Sequence, residues 1–350
     1  MALSSAFPAT RGALDAGERR RRRQLIAGAI VLAVLIALPH GTSDVYFQNV
    51  LVLTLMYAAL SQAWNILGGY CGQISLGHAL YFGLGGYVST ILFTQWGVPP
   101  MIGMLPGGIL AALLALLVGW PCFRLSGHYY AIATLVIAET GLLLFLNWDW
   151  VGGALGIYVP FKTESWVTFQ FRTSKLPYYY AMLGFAAVLW LVSFWIENAK
   201  WGFYWRAVKD NAVAAQSLGV RIFRTKMAAA AISAFFTGVG GAFYAQFVAY
   251  IDPDSTMSTQ LSILIALPAV LGGIGTLWGP LVGAAVLIPA TEISRSYLGG
   301  SGSGIDLIFY GALIMLVATL KPEGLSGILG FRRKRPEPLA REGEAADVAP

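Results

Sequence analysis

Along this chain the apolar residues gather into blocks separated by short polar stretches. A helical block of about 20 residues covers the roughly 30 Å hydrocarbon core of a bilayer. The blocks are Leu25–Leu38, Val45–Leu67, Ala79–Trp96, Leu105–Cys122 and Tyr129–Leu146 in the first half. After a more polar stretch, 147–176, come Tyr178–Ile196, Met227–Tyr250, Leu261–Ile274, Leu277–Ile293 and Ile305–Leu320. The pattern predicts an all-α fold, a polytopic transmembrane bundle of about 8–10 spans. The eighth and ninth blocks are short and Gly-rich, which leaves the count open.

Composition agrees. With 57% of 350 residues apolar and 11% charged, a soluble domain could not hide so much apolar surface. Trp148, Trp150, Trp201 and Trp205 lie beside apolar blocks, where half-polar rings favour the headgroup level. The net charge of +6 does not point to nucleic acid, because its positive residues cluster in Arg19–Arg23, one long loop and the tail from Lys321 to Arg335. Basic residues favour the cytoplasmic side. An even number of spans then places both termini, Arg124 and the loop Lys200–Lys226 inside, with 147–176 and Asp252–Asp254 outside. Residues 1–24 form a basic cytoplasmic N-terminus, 25–330 the membrane domain, and 331–350 a Pro- and Glu-rich tail expected to be disordered. Arg19–Arg23 before Leu25–Leu38 imitate a signal peptide, but no small-x-small cleavage site precedes His40, so an uncleaved first span is the preferred reading.

Two stretches depart from plain hydrophobicity: Gly68–Tyr87 and Leu271–Ala285. Glycines let transmembrane helices approach closely, and interruptions in both halves of a transporter also point to a solute path made of broken or re-entrant segments. Gln73, Ser75, Gly77 and His78 in the first stretch, and Gly272, Gly273 and Gly275 in the second, are the candidate path or gate residues. Glu139 joins them, since a carboxylate inside an apolar block needs a partner or water. Structural hydrogen bonding explains the same polar residues equally well. The three histidines are widely spaced and the two cysteines sit at block ends, so no metal site is expected.

The loop Lys200–Lys226 is too polar to span. Asp210 or Asn211 suits a helix N-cap, Ala212–Leu218 favour helix, and Gly219 suits the left-handed residue that ends one. Such a helix could lie on anionic headgroups or enter a partner's groove. Its sequence resembles the coupling loop of branched-chain amino acid ABC permeases, R-A-x-K/R-D/E-N-x-x-A-A-x-x-L-G-V, with Arg206, Ala207, Lys209, Asp210, Asn211, Ala214, Ala215, Leu218, Gly219 and Val220 in those places. Ala212 and Val213 stand where acidic residues are often found. Asn65–Tyr87, Arg124–Leu135, the second Gly-rich stretch and Lys321–Leu329 resemble further signatures of the family, with the LivM type the nearest.

The resemblance implies a permease that pairs with a second homologous permease and receives solute from a periplasmic binding protein in the bacterial inner membrane. Two ATP-binding cassette subunits would carry ATP and magnesium, with no cofactor on this chain. The chain is not expected to be an enzyme, since no G-x-x-x-x-G-K-[ST] phosphate loop occurs. Arg206, Lys209, Asp210, Asn211, Ala214, Ala215, Leu218 and Gly219 become the ATPase-coupling set. The implied solutes are branched-chain amino acids, with urea, amides or aromatic acids as alternatives within the family. An ion-coupled transporter is the alternative of another class.

Overall fold

The computed structural model describes residues 8–41, 44–125, 127–162, 164–171 and 174–298, together with 311, 312, 315, 324 and 325. Apart from those last five, the expected tenth span and the closing segment lie outside the described residues, as do the tail 331–350 and Arg172.

Twelve helices follow one another among the described residues. Helix α1, Pro8–Ala37, carries the basic run and the first apolar block without a break. Helix α2, Val45–Asn65, starts at Asp44, whose side chain accepts the Tyr46 N–H, and it continues into a π turn, Ile66–Tyr70. After a non-helical stretch come α3, His78–Trp96; α4, Pro100–Cys122; and α5, His128–Leu146. Helix α6 is Leu176–Asn198, α7 Lys200–Asp210, α8 Ala212–Ser217 and α9 Ile222–Val248. The short α10, Pro253–Met257, leads through Ser258 into α11, Thr259–Gly272, and α12 is Gly279–Leu298.

Among the described residues, seven segments are long and apolar enough to cross a membrane: Arg21–Gly41, Val45–Tyr70, Pro100–Cys122, His128–Leu146, Leu176–Asn198, Ile222–Val248 and Pro253–Gly272. The chain is a multi-pass membrane protein. Helices α3 and α12, of 19 and 20 residues, complete the described bundle. The expected span Leu261–Ile274 is thus the second part of a bent α10–α11 unit, and Leu277–Ile293 is α12. Among the described residues a two-residue antiparallel pair, in which β1, Ile157–Tyr158, meets β2, Tyr250–Ile251, departs from the helical rule. It pins the long loop 147–175 to the end of α9.

The tightest packing is where α3, α4 and α9 cross, and glycine is the reason. A Cβ on Gly85 would overlap the Gly238 carbonyl, one on Gly241 would overlap the Phe82 carbonyl, and one on Gly107 would lie 2.7 Å from the Gly85 carbonyl oxygen. Because lipid tails are as apolar as the side chains, burial adds little between transmembrane helices, and close backbone approach helps hold them together. Helix α2 is the second hub, packing on α6, α9, α11 and α12. Its buried Trp64 and Leu60 join Phe82, Tyr179, Met182 and Phe243 in the largest core cluster. Helix α1 lies at the edge, with only 11% of its apolar window buried.

Basic residues collect at one end of the bundle. Arg21 lies 5.8 Å over the Phe194 ring and Lys226 6.0 Å over Phe123, and Arg206 donates to the Glu197 carbonyl (2.9 Å). At the opposite end Tyr46 donates to the Glu292 carbonyl (2.9 Å), and the β1–β2 pair brings the Tyr158 and Tyr250 rings together, tilted by 40° with centroids 4.7 Å apart. The N-terminal run and the α7–α8 loop therefore share a face, as an even number of crossings between them requires.

Candidate functional site

The two Gly-rich breaks meet each other at the basic end. Helix α2 ends by widening into the π turn, leaving its last carbonyls without intrahelical partners. The Leu67 carbonyl accepts the Gln73 N–H (3.1 Å), and the Gly69 carbonyl accepts the Lys209 ammonium (2.8 Å). A cation here also lies at the negative end of the α2 dipole. From inside α2, Asn65 reaches the second break: its Nδ2 donates to the Thr276 carbonyl (3.0 Å) and its Oδ1 accepts the Gly275 N–H (2.8 Å). Asn65 is fully buried, so this pairing removes what would be an expensive unsatisfied amide.

The glycines of this joint make room for those two side chains. A Cβ at Gly69 would overlap Asn65 Oδ1. At Gly72, with φ +72°, it would come within 2.8 Å of Lys209 Cγ; at Gly275, with φ +76°, within 3.1 Å of Lys209 Nζ. Gly272 and Gly273 serve the turn between α11 and α12, where Gly272 abuts the Gly279 backbone and a Cβ on Gly324 would lie 2.5 Å from Gly273 Cα.

Deeper in the bundle lies a second polar layer. His78, 0% exposed, pairs through Nε2 with Ser233 Oγ (2.8 Å), and Ser233 donates its proton to the Ala63 carbonyl (2.7 Å). With the hydroxyl proton so committed, His78 must be the donor, which fixes the Nε2–H tautomer. Ser233 lies eleven residues, roughly 16 Å, inside α9 from Ile222. Helix α3 therefore begins near half depth, and the Ser262 hydroxyl of α11 accepts its Ala79 N–H (2.9 Å). Thr134 of α5 accepts the Leu76 N–H (3.1 Å), Ser75 accepts the Trp64 indole N–H on its carbonyl (2.8 Å), and Gly77 lies against the Thr134 backbone. Glu139, at a similar depth on α5, accepts a hydrogen bond from Thr259 Oγ1 at the start of α11. All of these bonds but the one between Trp64 and Ser75 join segments distant in sequence. The layer ties α2, α3, α5, α9 and α11 around the two interruptions, and Gln73 is left half-buried beside exposed Ile74.

The candidate coupling residues divide into two orientations. Asn211 caps α8 by accepting the Ala214 N–H (3.0 Å), and Gly219 ends it at φ +85°. Val213 and Leu218 project with 75% and 86% of their surfaces exposed, and Asp210 and Ala214 are exposed beside them. Ala215 is buried, Arg206 turns back to the end of α6, and Lys209, although exposed as a residue, directs its ammonium to the Gly69 carbonyl. The outward set has the apolar, small-residue surface that suits a groove on another protein; the inward set fastens the loop to the bundle. Asn65, Thr259, Ser262, Ser233 and Thr276 escaped the sequence reading. For Asn65 the signal was available, since a carboxamide inside an apolar block invites the argument applied to Glu139.

A family model described as "Branched-chain amino acid transport system / permease component" matches residues 46–318. The chain belongs to this permease family. It is 28% identical over 336 residues to the high-affinity branched-chain amino acid transport system permease protein LivM of Escherichia coli K12, covering 88% of this chain and 76% of the relative. It is 25% identical over 298 residues to the LivH permease protein of Salmonella typhimurium, covering 80% and 94%. A probable LivM permease of Methanocaldococcus jannaschii is 23% identical over 299 residues, covering 77% and 86%. No solved structure matches the chain. This permease component of an ATP-binding cassette importer thus keeps its joint, its deeper polar layer and its α7–α8 loop within the region that defines the family.

Proposed function

We propose that this subunit translocates branched-chain amino acids or closely related small solutes across the bacterial inner membrane, with the basic end in the cytoplasm. A periplasmic binding protein delivers the solute to the end bearing the β1–β2 pair. A second homologous permease completes the path, and two partner ATPases bind and hydrolyse ATP with magnesium, this chain carrying no cofactor. The observation that carries the reading is the family match over residues 46–318 combined with a basic-end loop whose short capped helix holds Val213 and Leu218 out of the bundle. The names of the relatives support the solute class. In mechanism, closure of the ATPases shifts α8, and the path opens or closes at the two breaks, with Gln73, His78 and Glu139 the polar side chains nearest to it.

The test uses the full complex in proteoliposomes with labelled leucine, isoleucine and valine. Uptake is expected to need ATP and the binding protein and to survive a protonophore. Uptake that follows an ion gradient without ATP rejects the reading. Val213→Asp separates docking from folding, because Val213 touches solvent: the variant is expected to stay folded while losing most ATPase co-purification. Undiminished co-purification overturns the assignment of α8. Ala215 is a poor probe for this purpose, being packed inward.

A further inference from the structure

We infer that Lys209 is the strut that carries movement of the α7–α8 loop into both glycine breaks at once, acting behind the ATPase contact rather than in it. The inference rests on the reading that α8 meets an ATPase, and its test keeps the two separable.

Three observations carry it. The first is that α7 is a firm platform. Its Trp205 is 1% exposed, donates Nε1–H to the Thr225 carbonyl (2.8 Å) and packs in one cluster with Ile66, Leu67, Tyr70 and Ile196. Val208 is buried as well, and Gly202 lies against the Ile196 backbone. A displacement of α8 therefore moves α7 as a body. Helices α6 and α9, which flank the loop, are continuous and transmit such a displacement only as rigid rods.

The second is where the ammonium sits. Apolar contacts such as those of Val208 slide with little directional penalty, whereas a charged donor on a carbonyl is short and directional. Lys209 Nζ holds the Gly69 carbonyl at 2.8 Å, and Gly72 and Gly275 leave clear the space its stem and head occupy. The point of attachment is a π turn, which holds one residue more than an α turn in the same height. That is the part of α2 best able to change register without unwinding the rest. The third is Asn65. By bonding to both Gly275 and Thr276 from the turn preceding the π segment, it splices the second break to the first. A pull at Gly69 is thus delivered to the ends of α2, α11 and α12 together. The deeper layer around His78 and Ser233 stays tied by its own bonds.

The experiment measures three quantities in the reconstituted full complex for Lys209→Met, which keeps the stem and removes the ammonium. These are ATPase co-purification, ATP hydrolysis and solute imported per ATP consumed. Co-purification and hydrolysis are expected to stay within about 2-fold of wild type while imported solute per ATP falls about 10-fold or more, the scale of one lost charge-assisted hydrogen bond. Lys209→Arg, which restores a cationic donor, is expected to recover part of the loss. Asn65→Leu should uncouple in the same way; because that residue is buried, it is scored only alongside an unchanged elution profile and melting temperature. Unchanged solute per ATP in Lys209→Met overturns the strut. So does loss of ATPase binding in that variant, which would place Lys209 in the docking surface. If Val213→Asp keeps its ATPase, the docking reading fails, and the Lys209 result still stands or falls on its own ratio.

Discussion

At the crossing of α3, α4 and α9, Gly85, Gly107, Gly238 and Gly241 have ordinary helical torsions, and what matters about them is only the missing side chain. At the joint, Gly72 and Gly275 have positive φ and leave room for Lys209 from the distant α7, while Gly69 leaves room for Asn65. In the first region glycine brings backbone against backbone and leaves nothing polar to rearrange. In the second it seats hydrogen bonds that can be made and broken. One residue type therefore builds the most rigid part of the bundle and the part best suited to move.

The comparison is broken most severely by crowding the crossing. Gly241→Leu forces α3 and α9 apart along their whole contact, and the expected loss is about 4 kcal/mol or more, the scale of severe overpacking. It would be read as absence of a monodisperse complex in detergent. At the joint, Gly275→Ala imposes a positive φ on alanine and sets its Cβ against the Gly69 carbonyl oxygen as well as Lys209 Nζ, with an expected stability cost of about 2 kcal/mol. Its larger effect should be on transport, so a melting temperature lowered by a few degrees with a disproportionate fall in uptake supports the division between scaffold and joint. An equal fall in both would erase it. The smallest effect belongs to the deeper layer. Thr259→Val removes the donor to Glu139 and should cost about 1 kcal/mol, whereas Glu139→Gln preserves an acceptor for Thr259 and should cost less than about 0.5 kcal/mol. Thermal unfolding of the pair decides whether that contact is held by its hydrogen bond or by the carboxylate charge.

Much of the scaffold was legible because a bilayer leaves the backbone so few choices. The block Val45–Leu67 became α2 with its π turn, and Tyr178–Ile196 became α6 with two residues added at each end. Helix α4 begins five residues before its expected start, with Pro100 in the first turn, where its missing N–H costs nothing. The capped helix α8 was readable from Asn211 and Gly219, since capping is local chemistry. Long-range pairing had no such signal. Lys209 and Gly69 are 140 positions apart and Asn65 and Thr276 are 211 apart, so nothing in either segment announces its partner. The direction of the Lys209 side chain was hidden for the same reason, and a two-residue strand pair is too short to leave any alternation.

The family match begins at residue 46, just inside α2, and so excludes α1 while enclosing the joint. The first helix leans on α6 through Gly28, against the Trp190 indole, and through the Leu35 carbonyl, which accepts the Tyr179 hydroxyl at 2.6 Å. It is an annex built onto a finished house. Lengthening, recharging or removing it would leave the bonds among Asn65, Gly69, Lys209, Gly275 and Thr276 in place, with no renovation of the machinery inside.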